Sequence, residues 1–486
     1  MPDYKSLRKH EVPDWFHDAK FGIFIHWSLS SVPAFAVADK GDIKETIKTE
    51  GFSGHFKNNP YAEWYLNSLR IKGSPTQKYH KETYGEGFSY DEFVPMFNEA
   101  IKKWDPNKMA DVFKKAGARY VVLVTKHHDG FLLWPSKYPN PHKKNYFASR
   151  DIVGELTTAV KSKGLKMGFY YSGALDWTFN EKPIKDMISF VTNGSLDPEY
   201  AEYVDKHWYE LIDNYDPIIL WNDIGYPPAG KDRELIAYFY NRSPEGLIND
   251  RWFKYSKTIR EVLKFRQIKD AIKGMAKQAM AEGGGGSGLK PPHCDYRTPE
   301  YAQFSKIKKF KWESTRGIGN SFGYNEMEPE SNYLTLEELV HMFVDIVSKN
   351  GNLLLNVGPM ADGTIPEIQR QLLLGFGEWL EINGEGLYGT RPWNRAESQT
   401  TEGQEVRYTQ KGNALYAILL GIPNTNSITI KNLNVEPEAK INLLGQPNII
   451  HWQNDGEDLI LNLPENLPDA PAHTFKITPK PAIELF

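Results

Sequence analysis

The chain has 486 residues, 40% apolar and 25% charged, with Gly and Pro near average usage, which excludes a disordered, collagen-like or low-complexity protein. Its one cysteine, Cys294, excludes an internal disulfide framework and any Cys-rich zinc or iron–sulfur site. With 58 basic and 62 acidic residues the formal charge is −4, so no nucleic acid is expected as partner.

The N-terminal stretch MPDYKSLRKHEVPDWFHDAKFG has no apolar core of the kind a secretory signal needs, and no window approaches 18 uninterrupted apolar residues. The expectation is a cytoplasmic protein with no membrane span, although a trimmed signal peptide would leave the same trace. Self-association into a homo-oligomer stays open. Several short β-rich runs then follow one another, each ending in polar or ionisable residues: FGIFIHW (21–27), YVVLVTKHHDGF (120–131), KMGFYYS (166–172), PIILWND (217–223), GLIND (246–250), FKWESTR (310–316) and NLLLNVGP (352–359). Amphipathic segments lie between them, such as 106–118, 152–164 and 336–351. Near-continuous apolar strands alternating with helices predict a buried parallel sheet, and this many units predict an α/β fold of (β/α)8-like TIM-barrel type over residues 1–390. The C-terminal strand ends of such a barrel form its active face, where His26, His127, His128, Tyr170, Asp223 and Glu313 would converge.

Residues 253–292 fit neither strand nor barrel helix. They read as a basic amphipathic helix followed by the linker GGGGSG (283–288), an atypical insert. A packed surface helix, a grafted segment and a membrane-surface or calmodulin-like helix all remain open for it. From 391 to 486 the texture changes to short alternating strands with turn signals between them, which predicts a C-terminal antiparallel β-sandwich.

Asp223 closes a strongly apolar strand, where a carboxylate is costly unless something uses or pairs it. It is either a salt-bridged or capping residue or a nucleophile or base at the barrel mouth. Asp250, in LIND before Arg251, is expected to pair with a base. Glu63, Glu300 and Glu313 are the candidates for a second carboxylate, since glycoside hydrolysis needs one group to attack or activate water and another to protonate the leaving oxygen. His127, His128 and Asp129 invite a metal reading. Adjacent histidines in a strand point to opposite faces unless the strand is ending, however, and neither H-E-x-x-H nor H-x-H occurs. Hydroxyl-binding histidines suit a polyhydroxylated ligand better, so no metal is expected. No P-loop or G-x-S-x-G pattern appears, and no G-x-G-x-x-G signal outside the GGGGSG linker, so no cofactor is expected either. The 13 Trp, 26 Tyr and 25 Phe serve a packed core and a sugar-binding cleft equally well.

Taken together, FGIFIHWSLSSVPAF, YAEWY, VTKHHDGFLLWPSKY, GFYYSGALDW, ILWNDIGYP, NDRW, FKWESTRGIGNSFGYN and GNLLLNVGPMADGTIP resemble the bacterial α-L-fucosidases of glycoside hydrolase family 29, in order from about residue 10 to 390. The resemblance implies a retaining exo-hydrolase that removes terminal α-L-fucose from a fucosylated oligosaccharide or glycoconjugate. It implies Asp223, in LWND, as nucleophile and Glu300, in DYRTPEY, as acid/base, with Glu63 and then Glu313 as the next choices. His26, His127 and His128 would bind fucose hydroxyls together with Glu63, Trp64, Tyr170 and Arg251, while Trp221 and Phe322 would face the C5 methyl. The insert separates NDRW from Glu300, a departure from the family pattern. A catalytically attenuated fucose-binding protein, or less readily a metal-dependent barrel hydrolase, is the competing reading.

Overall fold

In the computed structural model, which describes residues 2–255, 274 and 290–481, the apolar runs become parallel strands because both their faces are covered. These are β1 (Phe21–Ile25), β2 (Tyr120–Lys126), β3 (Lys166–Ser172), β4 (Ile219–Asp223), β5 (Leu247–Ile248), β6 (Trp312–Gly317) and β7 (Gly351–Val357). They form one curled sheet in the order β5-β4-β3-β2-β1-β7-β6, every pairing parallel. Gly22 in β1 has a packing reason: a Cβ there would lie 2.3 Å from the Tyr120 ring.

The gap between β5 and β6 is closed by the irregular segment 295–301. The Asp295 N–H donates to the Ile248 carbonyl (3.1 Å), and on the other edge the Glu313 N–H donates to the Arg297 carbonyl (2.8 Å) and the Tyr301 N–H to the Thr315 carbonyl (2.9 Å). Bridges Arg297–Trp312 and Glu300–Thr315 run parallel. This segment is the eighth stave. Pro299 removes one ladder donor from it, which keeps it from forming a regular strand.

Helices fill the crossovers: Pro106–Lys115, Ile152–Ser162, Pro198–Tyr215, Asp232–Arg242 and Leu336–Ser348, with Glu367–Asn383 after β7. Asp105 and Asp197 cap helices whose first residue is proline, and Thr335 and Glu338 form a capping box, so the starts are written locally. The barrel lumen is a packed cluster that includes Phe24, Tyr120, Val122, Tyr170, Ile219, Trp221, Tyr296 and Leu354. Among the described residues no helix is long and apolar enough to cross a membrane.

The C-terminal part has strands β8 (Arg391–Gln399), β9 (Glu405–Lys411), β10 (Ala414–Leu420), β11 (Ser427–Ile430), β12 (Lys440–Leu443), β13 (His451–Asp455), β14 (Asp458–Asn462) and β15 (Ala472–Thr478). They make a five-stranded sheet, β12-β15-β10-β9-β8, and a three-stranded sheet, β11-β14-β13, around a shared apolar core. Arg407 Nε to Asp345 (2.6 Å) and Trp379 Nε1 to the Ala472 carbonyl (3.0 Å) tie this sandwich to the barrel helices. Most of the basic insert read from the sequence lies outside the described residues; Phe253 and Tyr255, at its start, pack on Val191.

Candidate active site

Period-two alternation along β4 sends Trp221 and Asp223 to the barrel interior, while Asn222 turns the other way and donates to the Gly225 and Arg251 carbonyls. Both Asp223 oxygens are engaged. Tyr170 Oη donates to Oδ2 (2.7 Å) and Arg251 Nη1 to Oδ1 (2.8 Å). The other terminal nitrogen of Arg251, Nη2, donates to Glu300 Oε2 (3.1 Å), so one guanidinium spans both carboxylates. Its plane lies over Trp221, 4.6 Å from the ring centroid, and Asp223 and Glu300 together raise the guanidinium pKa despite burial. Tyr61 Oη donates to the remaining Glu300 oxygen (2.8 Å).

β2 ends at Lys126, so the two histidines after it escape strand alternation. Their rings lie 3.9 Å apart and both face one cavity, with His26 5.8 Å from His127. Burial lowers all three histidines, His26 to about 4, so they are neutral at pH 7. Two tautomers follow from their neighbours. Asn356 Nδ2 donates to the Phe322 carbonyl, so its Oδ1 accepts from His26 Nδ1–H (2.6 Å). Ser172 Oγ donates to the Leu175 carbonyl, so it accepts from His128 Nδ1–H (2.6 Å). In both rings Nε2 is left as an acceptor, the atom type a sugar hydroxyl donates to.

Glu63 lies in a 3-10 turn and accepts the Gly323 N–H at 2.7 Å. Burial, the largest cause, pushes its carboxyl up to about 8. A folded-state pKa above the unfolded value favours the folded chain at low pH, and the contribution is lost as pH rises through about 8. The expected result is a Tm that falls by a few degrees from the ordinary glutamate range near pH 4.5 up to about pH 8 and levels off above it, with a shallower fall in Glu63→Gln; identical slopes in calorimetric scans of the two proteins over that window would refute it.

The cavity measures about 1000 Å³ including its open mouth. Asp223, Glu300, Glu63, His26, Trp64, His127, His128, Tyr170, Trp221, Arg251 and Phe322 all line it. Glu313 does not. It is the second residue of β6, deep in the barrel and fully buried, where it accepts from Tyr120 Oη (2.6 Å) and Trp221 Nε1 (3.4 Å). It supports Trp221 from below and is corrected from acid/base candidate to buried partner. Asp250 is expected from the sequence to pair with a base; among the described residues its Oδ1 instead accepts the backbone N–H and the hydroxyl of Thr298 (3.1 and 2.7 Å), and it meets Arg251 only through the field of that charge. Sequence reasoning missed Tyr61, Ser172 and Asn356, the residues that hold Glu300, His128 and His26.

Residues 1–385 match the sequence profile described as Alpha-L-fucosidase, and residues 399–478 match that of the Alpha-L-fucosidase C-terminal domain. The chain belongs to the α-L-fucosidase family. Among its relatives, human tissue α-L-fucosidase is 31% identical over 490 residues, spanning 99% of this chain and 91% of that protein. Among solved structures, the Thermotoga maritima α-fucosidase in complex with a mechanism-based inhibitor is 42% identical, with a TM-score of 0.83 over 98% of this chain and 99% of that one. A Thermotoga maritima α-L-fucosynthase in complex with α-L-Fuc-(1-2)-β-L-Fuc-N3 gives a TM-score of 0.84 at 42% identity, with the same coverage. For a fucosidase cavity, the neutral histidine acceptors, the buried carboxyl of Glu63 and the apolar faces of Trp221 and Phe322 form a wall suited to a deoxysugar.

Proposed function

We propose that this α-L-fucosidase works by double displacement, with Asp223 as nucleophile and Glu300 as acid/base. The Asp223 carboxylate attacks C1 of a terminal α-L-fucoside. The C1–O bond to the aglycone breaks as Glu300 gives its proton to the leaving oxygen. A water then attacks C1 of the fucosyl ester, losing a proton to Glu300 and freeing Asp223, so two inversions give net retention. The observation that carries this reading is the Arg251 fork, which reaches both carboxylates at the cavity floor. Retaining glycosidases hold their carboxyl pair about 5–5.5 Å apart, whereas inverting ones leave about 6.5–9.5 Å for a water. A single guanidinium between the two groups supports the closer arrangement.

His26 and His128 would take hydroxyl protons at Nε2, and His127, Glu63, Trp64, Tyr170 and Arg251 would complete the polar wall. Trp221 and Phe322 would face the C5 methyl, a preference worth about 1–3 kcal/mol. The substrate is a fucosylated oligosaccharide or glycoconjugate. The 42% identity to the Thermotoga structures, against 31% to the human relative, supports a bacterial affinity for the chain. The two profile matches support a catalytic part over 1–390 and a separate sandwich over 391–486.

The test follows 4-nitrophenyl α-L-fucoside hydrolysis by NMR: α-L-fucose is expected as the first-formed anomer. First formation of the β anomer would overturn the double displacement.

A further inference from the structure

Part of the wall of the same cavity is apolar. The acid/base must reach the glycosidic oxygen, so the aglycone passes beside Glu300. The apolar part of the lining is aliphatic and aromatic: Ile43, Ile47, Phe52, Phe190, Ile224 and Phe253 all face the cavity. All but Phe253 are only half-buried, leaving apolar surface open to the cavity.

Their placement is tied to the catalytic groups. Ile224 directly follows Asp223 and has φ +57°, a left-handed backbone that a β-branched side chain rarely adopts. Phe253 is two residues past Arg251 and packs so closely on Gly225 that a Cβ there would lie 2.8 Å from its ring. Ile43 and Ile47 belong to helix Ile43–Lys57, whose Lys44 lies near enough to Glu300 to feel its charge. That helix is broken at Gly51 (φ +71°), and apolar residues from both halves, Ile47 and Phe52 among them, reach the cavity.

A second sugar in this space would need polar partners for its hydroxyls, and among the described residues few are free. Asn59 Oδ1 is taken by the Tyr61 N–H (2.8 Å), and its Nδ2 is closed from solvent. Thr315 Oγ1 donates to the Pro299 carbonyl (3.4 Å), and His55 Nδ1 is likewise closed off. Leaving sugar hydroxyls without partners is expensive, whereas covering the exposed aliphatic and aromatic faces is favourable.

We propose that the leaving-group side of this site is built for an apolar aglycone, an alkyl or aryl group, so that the favoured glycoconjugates carry apolar matter next to the fucose. The inference rests on the fucosidase reading above and narrows its substrate class.

The test compares n-octyl α-L-fucoside, methyl α-L-fucoside and α-L-fucosyl-(1→2)-galactose with the intact protein. The two alkyl glycosides place similar demands on the acid, so their ratio reads the pocket. The octyl glycoside is expected to exceed the methyl glycoside at least about tenfold in kcat/KM and to exceed the disaccharide too. Ile47→Asn, and separately Ile43→Asn, should collapse that ratio while methyl fucoside turnover stays at the wild-type level. An octyl glycoside no better than methyl, or a disaccharide that is best, overturns the proposal. If none of the three releases fucose, the fucosidase reading falls instead. The aglycone proposal is then decided by calorimetric binding of octyl against methyl α-L-fucoside, equal affinities sinking it.

Discussion

Asp223→Ala is expected to lower kcat/KM for α-L-fucosides by roughly 10⁴-fold or more, which at 1.36 kcal/mol per factor of ten is about 5.5 kcal/mol of lost transition-state stabilisation. The loss follows from chemistry: without the carboxylate no fucosyl ester forms, and water would have to attack unassisted. The fold should survive, because Arg251 keeps Glu300 as a partner and its buried charge is not orphaned. Tyr170 loses an acceptor, a cost of about 1–3 kcal/mol that lowers Tm without abolishing folding. Added azide should enter the vacated space and attack C1 from the same face, restoring part of the turnover of 4-nitrophenyl α-L-fucoside and giving β-fucosyl azide. Near wild-type hydrolysis by the variant, or an α-azide product, would remove Asp223 from the nucleophile's position.

The strands were legible because each is buried on both faces. A run such as YVVLVTK cannot be half-exposed, and it fills β2 from Tyr120 to Lys126. The eighth stave, 295–301, was not legible. It contains Pro299, carries no apolar run, and is recognisable only by the hydrogen bonds it makes to β5 and β6. That a polar residue near a strand end reaches the active face also depends on where the strand begins. FKWESTR places Glu313 near the middle of a sequence run, but β6 starts at Trp312, so the carboxyl stays deep in the barrel.

The histidine pair shows the opposite outcome. Strand alternation argued against both rings serving one site, and they do so because β2 stops just before them. Residues that only hold the others, Ser172 at the end of β3 and Asn356 near the end of β7, were quoted within the strand motifs without a role. Their signal is weak but real: a small polar residue in the last two positions of a barrel strand can fix a histidine tautomer.

The acid/base is where the two strongest carboxyl candidates compete, and a leaving-group comparison separates them. Glu63 has the burial-raised carboxyl expected of a general acid. It is held by the Gly323 N–H in the buried wall of the cavity. The acid must also receive a proton from the incoming water in the second step, which requires access to solvent. Glu300 has it, being only half-buried, with Arg251 joining it to Asp223. For Glu300→Ala the expected loss in kcat/KM is therefore roughly 10²–10⁴-fold with an alkyl α-L-fucoside, whose leaving group needs a proton, and far smaller with 4-nitrophenyl α-L-fucoside, whose leaving group does not. Glu63→Gln should weaken both substrates to a similar degree, because it acts on the sugar they share. Were the dependence on leaving group to appear in Glu63→Gln and be absent from Glu300→Ala, the roles of the two carboxyls would have to be exchanged, and the Arg251 fork would then be read as holding the nucleophile alone.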